Sequence, residues 1–170
     1  MSHPTTESPP QVGDEAPDFT LFTGDETSWR LSQHRDSPVV LLFFPGAFTS
    51  VCTSELTTIS TDYEAFGDAH VVGISTDSPF VLSEFRSVYE IDFPLLSDHD
   101  AEVSARYGTK YDQNFTDMAL DRIAKRSVFV MDREGVVQYA EVLDNAGRHP
   151  DFEEIDQTLR HLTPKKKSDR

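Results

Sequence analysis

Cysteine is almost absent from this chain: Cys52 is the only one among 170 residues. A single cysteine excludes an intramolecular disulfide and any multi-cysteine metal site. It says little about compartment, although a lone functional thiol suits a reducing cytoplasm, and a cytoplasmic location is expected. Lysine is scarce too, with only Lys110 and Lys125 before the C-terminal tail. Acidic residues number 30 against 15 basic ones, for a formal net charge of −15. Such a surface repels nucleic acid and anionic membranes, so neither is expected as a partner. The acidic bias fits a salt-rich cytoplasm, where screening relieves self-repulsion; an ordinary acidic protein is the plain alternative. No apolar run is long enough to cross a membrane. The first ten residues have neither a basic start nor an apolar run, so they are read as a loose tail rather than a signal peptide.

The most informative stretch is 39–56, VVLLFFPGAFTSVCTSEL. Six apolar residues, Val39 to Phe44, have the length and composition of a strand buried on both faces. Pro45 and Gly46 stop it. Thr49 or Ser50 then caps a helix, which puts Cys52 at or near its first turn. The thiolate is the reactive form of cysteine. Free N–H groups and the helix dipole favour an anion at this position. Thr49, three residues earlier, is within reach of the sulfur or of a bound oxygen. On position alone an inert buried thiol is equally compatible.

The rest of the chain reads as alternating elements. Residues 19–22 and 27–31 suggest a hairpin around Gly24 and Asp25. Leu56, Ile59, Tyr63 and Phe66 mark one face of a helix that Gly67 ends. Residues 70–75 read as a second buried strand. Asp77, Ser78 and Pro79 open a helix whose inner face carries Leu82, Phe85 and Tyr89. Pro94 points to an edge or a loop over 93–96. A further helix is expected from 97–100 to about Gly108, with Asp98, His99 and Asp100 as its solvated start rather than a metal site. Residues 110–125 remain unassigned. Residues 127–132 and 136–142 form a hairpin, and a last helix over 151–162 turns Phe152, Ile155, Leu159 and Leu162 inward. This order describes an α/β protein with a central mixed sheet. His34 is read as an ordinary surface histidine.

Pro45, Thr49 and Cys52 stand in the spacing P-x-x-x-T-x-x-C, which resembles the peroxidatic motif of the peroxiredoxins. VGDEAPDFTL, VVGISTDSPF, FPLLSD and KRSVFVMDREGVV follow in that family's order, so the resemblance runs from about Val12 to Leu162. It implies a thioredoxin-like fold, a central mixed sheet flanked by helices with an N-terminal hairpin extension. The implied domain covers 12–163, between flexible tails at 1–11 and 164–170.

The resemblance also implies a chemistry. Cys52 attacks one peroxide oxygen, and the other leaves as an anion. Thr49 and nearby backbone N–H groups hold the peroxide, while Pro45 shields the sulfur. Arg126 matches the family's active-site arginine, whose permanent charge favours thiolate and leaving group; a surface ion pair is its bland alternative. Glu55 would aim Arg126, or simply sit on the helix surface. Arg148, in AGRHP, resembles a second arginine of some groups, or occupies an exposed turn. Thr57 stands where one group carries its resolving cysteine, so the chain looks like a one-cysteine peroxiredoxin, most like the alkyl hydroperoxide reductase E type. The implied function is a thiol-dependent peroxidase for hydrogen peroxide and organic hydroperoxides. A sulfenic acid intermediate is regenerated by an external thiol or a thioredoxin- or glutaredoxin-like protein. A homodimer is expected, with no cofactor and no metal. A peroxide sensor that relays oxidation to a partner, or a non-catalytic thioredoxin-like binding module, are the alternatives.

Overall fold

A computed structural model of the chain describes residues 6–61, 67–112, 120–145 and 147–162. In chain order its strands and α-helices are β1 (Thr20–Thr23), β2 (Ser28–Arg30), β3 (Val39–Phe43), α1 (Ser50–Thr61), β4 (His70–Ser75), α2 (Pro79–Val88), β5 (Leu95–Ser97), α3 (Glu102–Arg106), β6 (Ser127–Met131), β7 (Val137–Val142) and α4 (Phe152–Leu162). The strands form one seven-stranded sheet in the order β2-β1-β5-β4-β3-β6-β7. β3 and β5 run parallel to β4, while β6 runs antiparallel to β3. This is the expected mixed sheet, with the β1–β2 hairpin at one edge.

β3 is buried along its whole length because both faces of the sheet are covered. Its side chains alternate between two cores. Val40, Leu42 and Phe44 pack with Leu56, Leu82, Phe85 and Ile155 from α1, α2 and α4. Val39, Leu41 and Phe43 pack with Phe19, Val103, Tyr107 and Phe129 on the other face. A period of two in the side chains thus makes one six-residue apolar run the wall of both cores.

Of the edge or loop expected at Pro94 the structure gives the loop, since β5 starts at Leu95 and lies between β1 and β4. The proline precedes the strand, and its carbonyl accepts the Gly73 N–H at 3.0 Å, so its missing donor costs the ladder nothing. Other expectations change. The helix expected from 97–100 to 108 shrinks to α3. Asp98 is not its solvated start: it is buried and accepts the N–H groups of Val103 and Ser104 at 3.1 and 2.7 Å and the Ser104 hydroxyl at 2.6 Å. Burial raises its pKa above the usual carboxylate value. Tyr89 follows α2 as its C-cap and is partly exposed, not part of its inner face. Tyr63, Phe66 and the tail at 164–170 lie outside the described residues.

Of the loose tail expected at 1–11, residues 6–11 are described, and they run against α3 and the turn after it. Glu7 N–H donates to the Ala105 carbonyl at 2.8 Å, and the Thr6 hydroxyl donates to the Lys110 carbonyl at 3.1 Å. Pro10 is buried. Gly108 makes the approach possible, since a Cβ there would lie 2.4 Å from Pro9 N.

Candidate active site

The site arises from strand register. β6 pairs with β3 so that Ser127 faces Phe43. Arg126, one residue before β6, is thereby carried to the end of β3 where the chain turns into α1. Cys52 sits in the first turn of α1. Arg126 Nη2 lies 3.2 Å from the Cys52 sulfur. Its Nη1 donates to Glu55 Oε1 at 2.5 Å. The i and i+3 spacing of Cys52 and Glu55 puts both on the same face of the helix, under one guanidinium.

Cys52, Glu55 and Arg126 are all buried, with the cysteine 1% exposed. A guanidinium and a carboxyl in so dry a place stand only because they pair. Burial pushes the Glu55 carboxyl up to about 7, even against the opposing pull of Arg126. Burial works against the Arg126 charge as well, but Glu55 and Cys52 more than offset it and hold the guanidinium above its usual value. Glu55 is thus an interior partner of Arg126, not a helix-surface carboxylate.

The loop between β3 and α1 leads directly into the cysteine's helix. Pro45 is buried. The Thr49 hydroxyl donates to the Gly46 carbonyl at 2.8 Å, and the Thr49 carbonyl accepts the Thr53 N–H at 2.9 Å. Phe48 adopts φ 65°, a left-handed conformation that costs a non-glycine residue about 1–2 kcal/mol. Its ring lies 5.0 Å from that of Phe85 in an edge-on contact. Two surface clefts, one between the hairpin and α2 and one beside His99, are lined by neither Cys52 nor Arg126.

Arg148 lies in the exposed turn after β7, where its N–H donates to the Asn145 carbonyl at 3.1 Å. Among the described residues its side chain has no bond to Cys52, Glu55 or Arg126. His34 stacks on Trp29 at 4.2 Å and stands apart from the trio. Tyr111, in the stretch left unassigned, joins the surroundings of the site. Its N–H donates to the Ile123 carbonyl at 3.1 Å, and Lys125 Nζ stands 5.7 Å from its ring centre. Burial raises its phenol, and the charges of Arg126 and Cys52 are felt there. No motif pointed to it. Asp77, expected to open α2, instead has its carboxylate accept the Ala47 N–H at 2.8 Å. Among the described residues no group of three or more histidine, cysteine or acidic side chains could hold a metal ion.

The AhpC/TSA family matches residues 12–140. A chloroplastic 2-cysteine peroxiredoxin of Chattonella marina is 32% identical over 166 residues, covering 89% of this chain and 78% of its own. The thiol peroxidase of Bacillus subtilis is 32% identical, covering 84% and 83%. Among solved structures, Peroxidoxin BcpB from Mycobacterium tuberculosis superposes with a TM-score of 0.78 at 32% identity, covering 91% of this chain and 99% of its own. A peroxiredoxin-like protein from Aquifex aeolicus reaches a TM-score of 0.83 at 23% identity, a likeness of fold. The seven-stranded sheet flanked by helices is therefore the thioredoxin-like fold of these proteins. With a match over 12–140 and relatives that share about a third of its residues along most of its length, the chain belongs to the AhpC/TSA family, the peroxiredoxins.

Proposed function

We propose that Cys52 is the peroxidatic nucleophile of a thiol-dependent peroxidase, with Arg126, Thr49 and Pro45 as its catalytic surroundings and Glu55 as the group that aims Arg126. The single observation that carries this reading is the guanidinium 3.2 Å from the sulfur of the only cysteine, itself held by a buried carboxylate. The family and its peroxidase relatives supply the reaction class. The Cys52 thiolate attacks one peroxide oxygen in line with the O–O bond. That bond breaks, the second oxygen leaves as hydroxide or alkoxide and takes up a proton, and the sulfur becomes a sulfenic acid. Arg126 supports negative charge first on sulfur and then on the departing oxygen. The N–H groups of the first turn of α1 serve as donors to the peroxide, and the Thr49 hydroxyl, whose hydrogen goes to the Gly46 carbonyl, offers its oxygen as an acceptor for the peroxide O–H.

Regeneration needs an external thiol, because the chain holds no second cysteine. One thiol condenses with the sulfenic acid to a mixed disulfide and water, and a second releases Cys52. A low-molecular-weight thiol or a thioredoxin- or glutaredoxin-like protein suits this role. The one-cysteine, alkyl hydroperoxide reductase E type remains our reading of the subgroup, and the cytoplasm of its compartment. Arg148 is kept only as a distal support. A homodimer is supported by Phe48 and Tyr89, exposed rings 6.1 Å apart beside the loop.

The test is rapid mixing of reduced protein with hydrogen peroxide, followed by intact mass. The wild type is expected to gain one oxygen at Cys52 far faster than a free thiol, and Cys52→Ser to gain none. Arg126→Ala and Thr49→Val are each expected to slow the step by about 100-fold. Wild-type rates in either variant would remove that residue from the site.

A further inference from the structure

Asp77 stands outside the peroxidatic motif, and by sequence it belongs to the start of α2. The structure turns it the other way. α2 is capped by Ser78, whose Oγ accepts the Val81 N–H at 3.3 Å. Asp77 Oδ2 accepts the Ala47 N–H at 2.8 Å and the Ser75 hydroxyl at 2.7 Å. Its own N–H donates to Ser75 Oγ at 3.3 Å, and its carbonyl accepts the Ser97 hydroxyl at 2.6 Å. Ser75 and Ser97 end β4 and β5 and are paired with each other across the sheet. Asp77 is therefore anchored to two buried strand ends while its carboxylate reaches the loop around Cys52.

Ala47, the residue it grips, lies between Pro45 and Thr49. The next residue, Phe48, has φ 65°. A bulky residue keeps a left-handed backbone only where its surroundings impose it. A charge-assisted bond to the preceding N–H is one such constraint. With Ala47 pinned, the Thr49 hydroxyl stays 2.8 Å from the Gly46 carbonyl, and its position in the loop before Cys52 is set. The Cys52–Arg126 contact, by contrast, is fixed by the β3–β6 register and by Glu55.

We infer that Asp77 is a positioning residue for the peroxide step: through its bond to Ala47 N–H it holds residues 45–49 in the shape that presents Thr49 to the peroxide, without acting on the Cys52–Arg126 pair. The inference rests on the site proposed above.

Two reactions of the same sulfur separate this role from general support of the fold. Oxidation by hydrogen peroxide needs Thr49 presented by the loop. Alkylation by iodoacetamide needs the thiolate but no peroxide-holding loop. Asp77→Ala is expected to slow oxidation about 30-fold while alkylation stays within about threefold of wild type. Asp77→Asn keeps an oxygen acceptor for Ala47 N–H and is expected to recover oxidation to within about fivefold. Ser75→Ala removes a donor to the same carboxylate oxygen and is expected to slow oxidation alone by roughly fivefold; it decides the matter if Asp77→Ala does not fold. The inference is overturned if Asp77→Ala oxidises at the wild-type rate, if both reactions slow equally, if Asp77→Asn is no better than Asp77→Ala, or if Ser75→Ala leaves oxidation untouched. Slow oxidation of the wild type itself overturns the site, and this role with it. Fast oxidation of both wild type and Asp77→Ala overturns this role alone.

Discussion

Glu55 shows how much a single buried charge depends on its neighbours. It is fully buried, one oxygen is bonded to Arg126, and the other has no hydrogen-bond partner among the described residues. An unpaired oxygen in a dry site favours the protonated acid, whereas the guanidinium favours the carboxylate. Burial wins in part, moving the group from its ordinary 4.5 to about 7. The unfolded chain then loses this proton near pH 4.5, while the folded protein keeps it until about 7. Between those values the folded state binds more protons, so its stability falls as pH rises, by about 1.4 kcal/mol per pH unit for this one group. Above that window the contribution is flat. Glu55→Gln removes the titration while keeping a similar shape. From about pH 5 to about pH 8 the variant should gain on the wild type by up to about 3 kcal/mol, measured by urea unfolding. Parallel pH profiles would show that Glu55 is ionised throughout. At this scale Pro45, Thr49, Cys52 and Arg126 could be found in the sequence because each occupies a position in a known spacing or beside a known strand. Asp77 could not, because an aspartate before Ser-Pro is an equally good helix start, and only the backbone path decides which N–H it meets.

At the scale of elements, the hairpin and α2 are fitted to each other through a glycine. Gly24 reads as a turn residue, but its neighbour is the backbone of α2: an added Cβ would lie 2.8 Å from Ser83 N and 2.9 Å from Ser83 Cα. Backbone atoms inside a helix cannot step aside as a side-chain tip can. Gly24→Ala should force the hairpin from α2 and destabilise the protein by about 1–3 kcal/mol in urea unfolding. A change within about 0.5 kcal/mol would mean that the hairpin shifts without loss. The strands and the long helices were legible as patterns of period two and of three to four. β5 and α3 were not, because three and five residues are too few to show a period. Their form comes from neighbours, β1 and β4 on either side of β5, and Asp98 beneath α3.

The molecule as a whole carries a formal charge of −15. Ion pairs do little to relieve it. Those at the surface, such as Arg30–Asp18 and Arg160–Asp156, are exposed and individually weak. Unrelieved repulsion opposes compaction and is screened by salt. Raising potassium chloride from about 0.1 M to about 2 M should lift Tm by several degrees, on the order of 1–2 kcal/mol. An unchanged or lower Tm would mark the acidity as ordinary and the salt-rich habitat as a misreading. No helix among the described residues is long and apolar enough to cross a membrane.

By itself the sequence determined the family, the two-faced central strand, the sole cysteine and its position at a helix start. Each of these is local, written in the order, spacing and polarity of neighbouring residues. Tertiary structure alone decided that Arg126 reaches Cys52 across 74 residues of chain, that Glu55 turns inward to meet it, and that Asp77 serves the loop rather than the helix. Those contacts depend on strand register and on which faces are buried, and both are settled only when the whole sheet closes over its two cores.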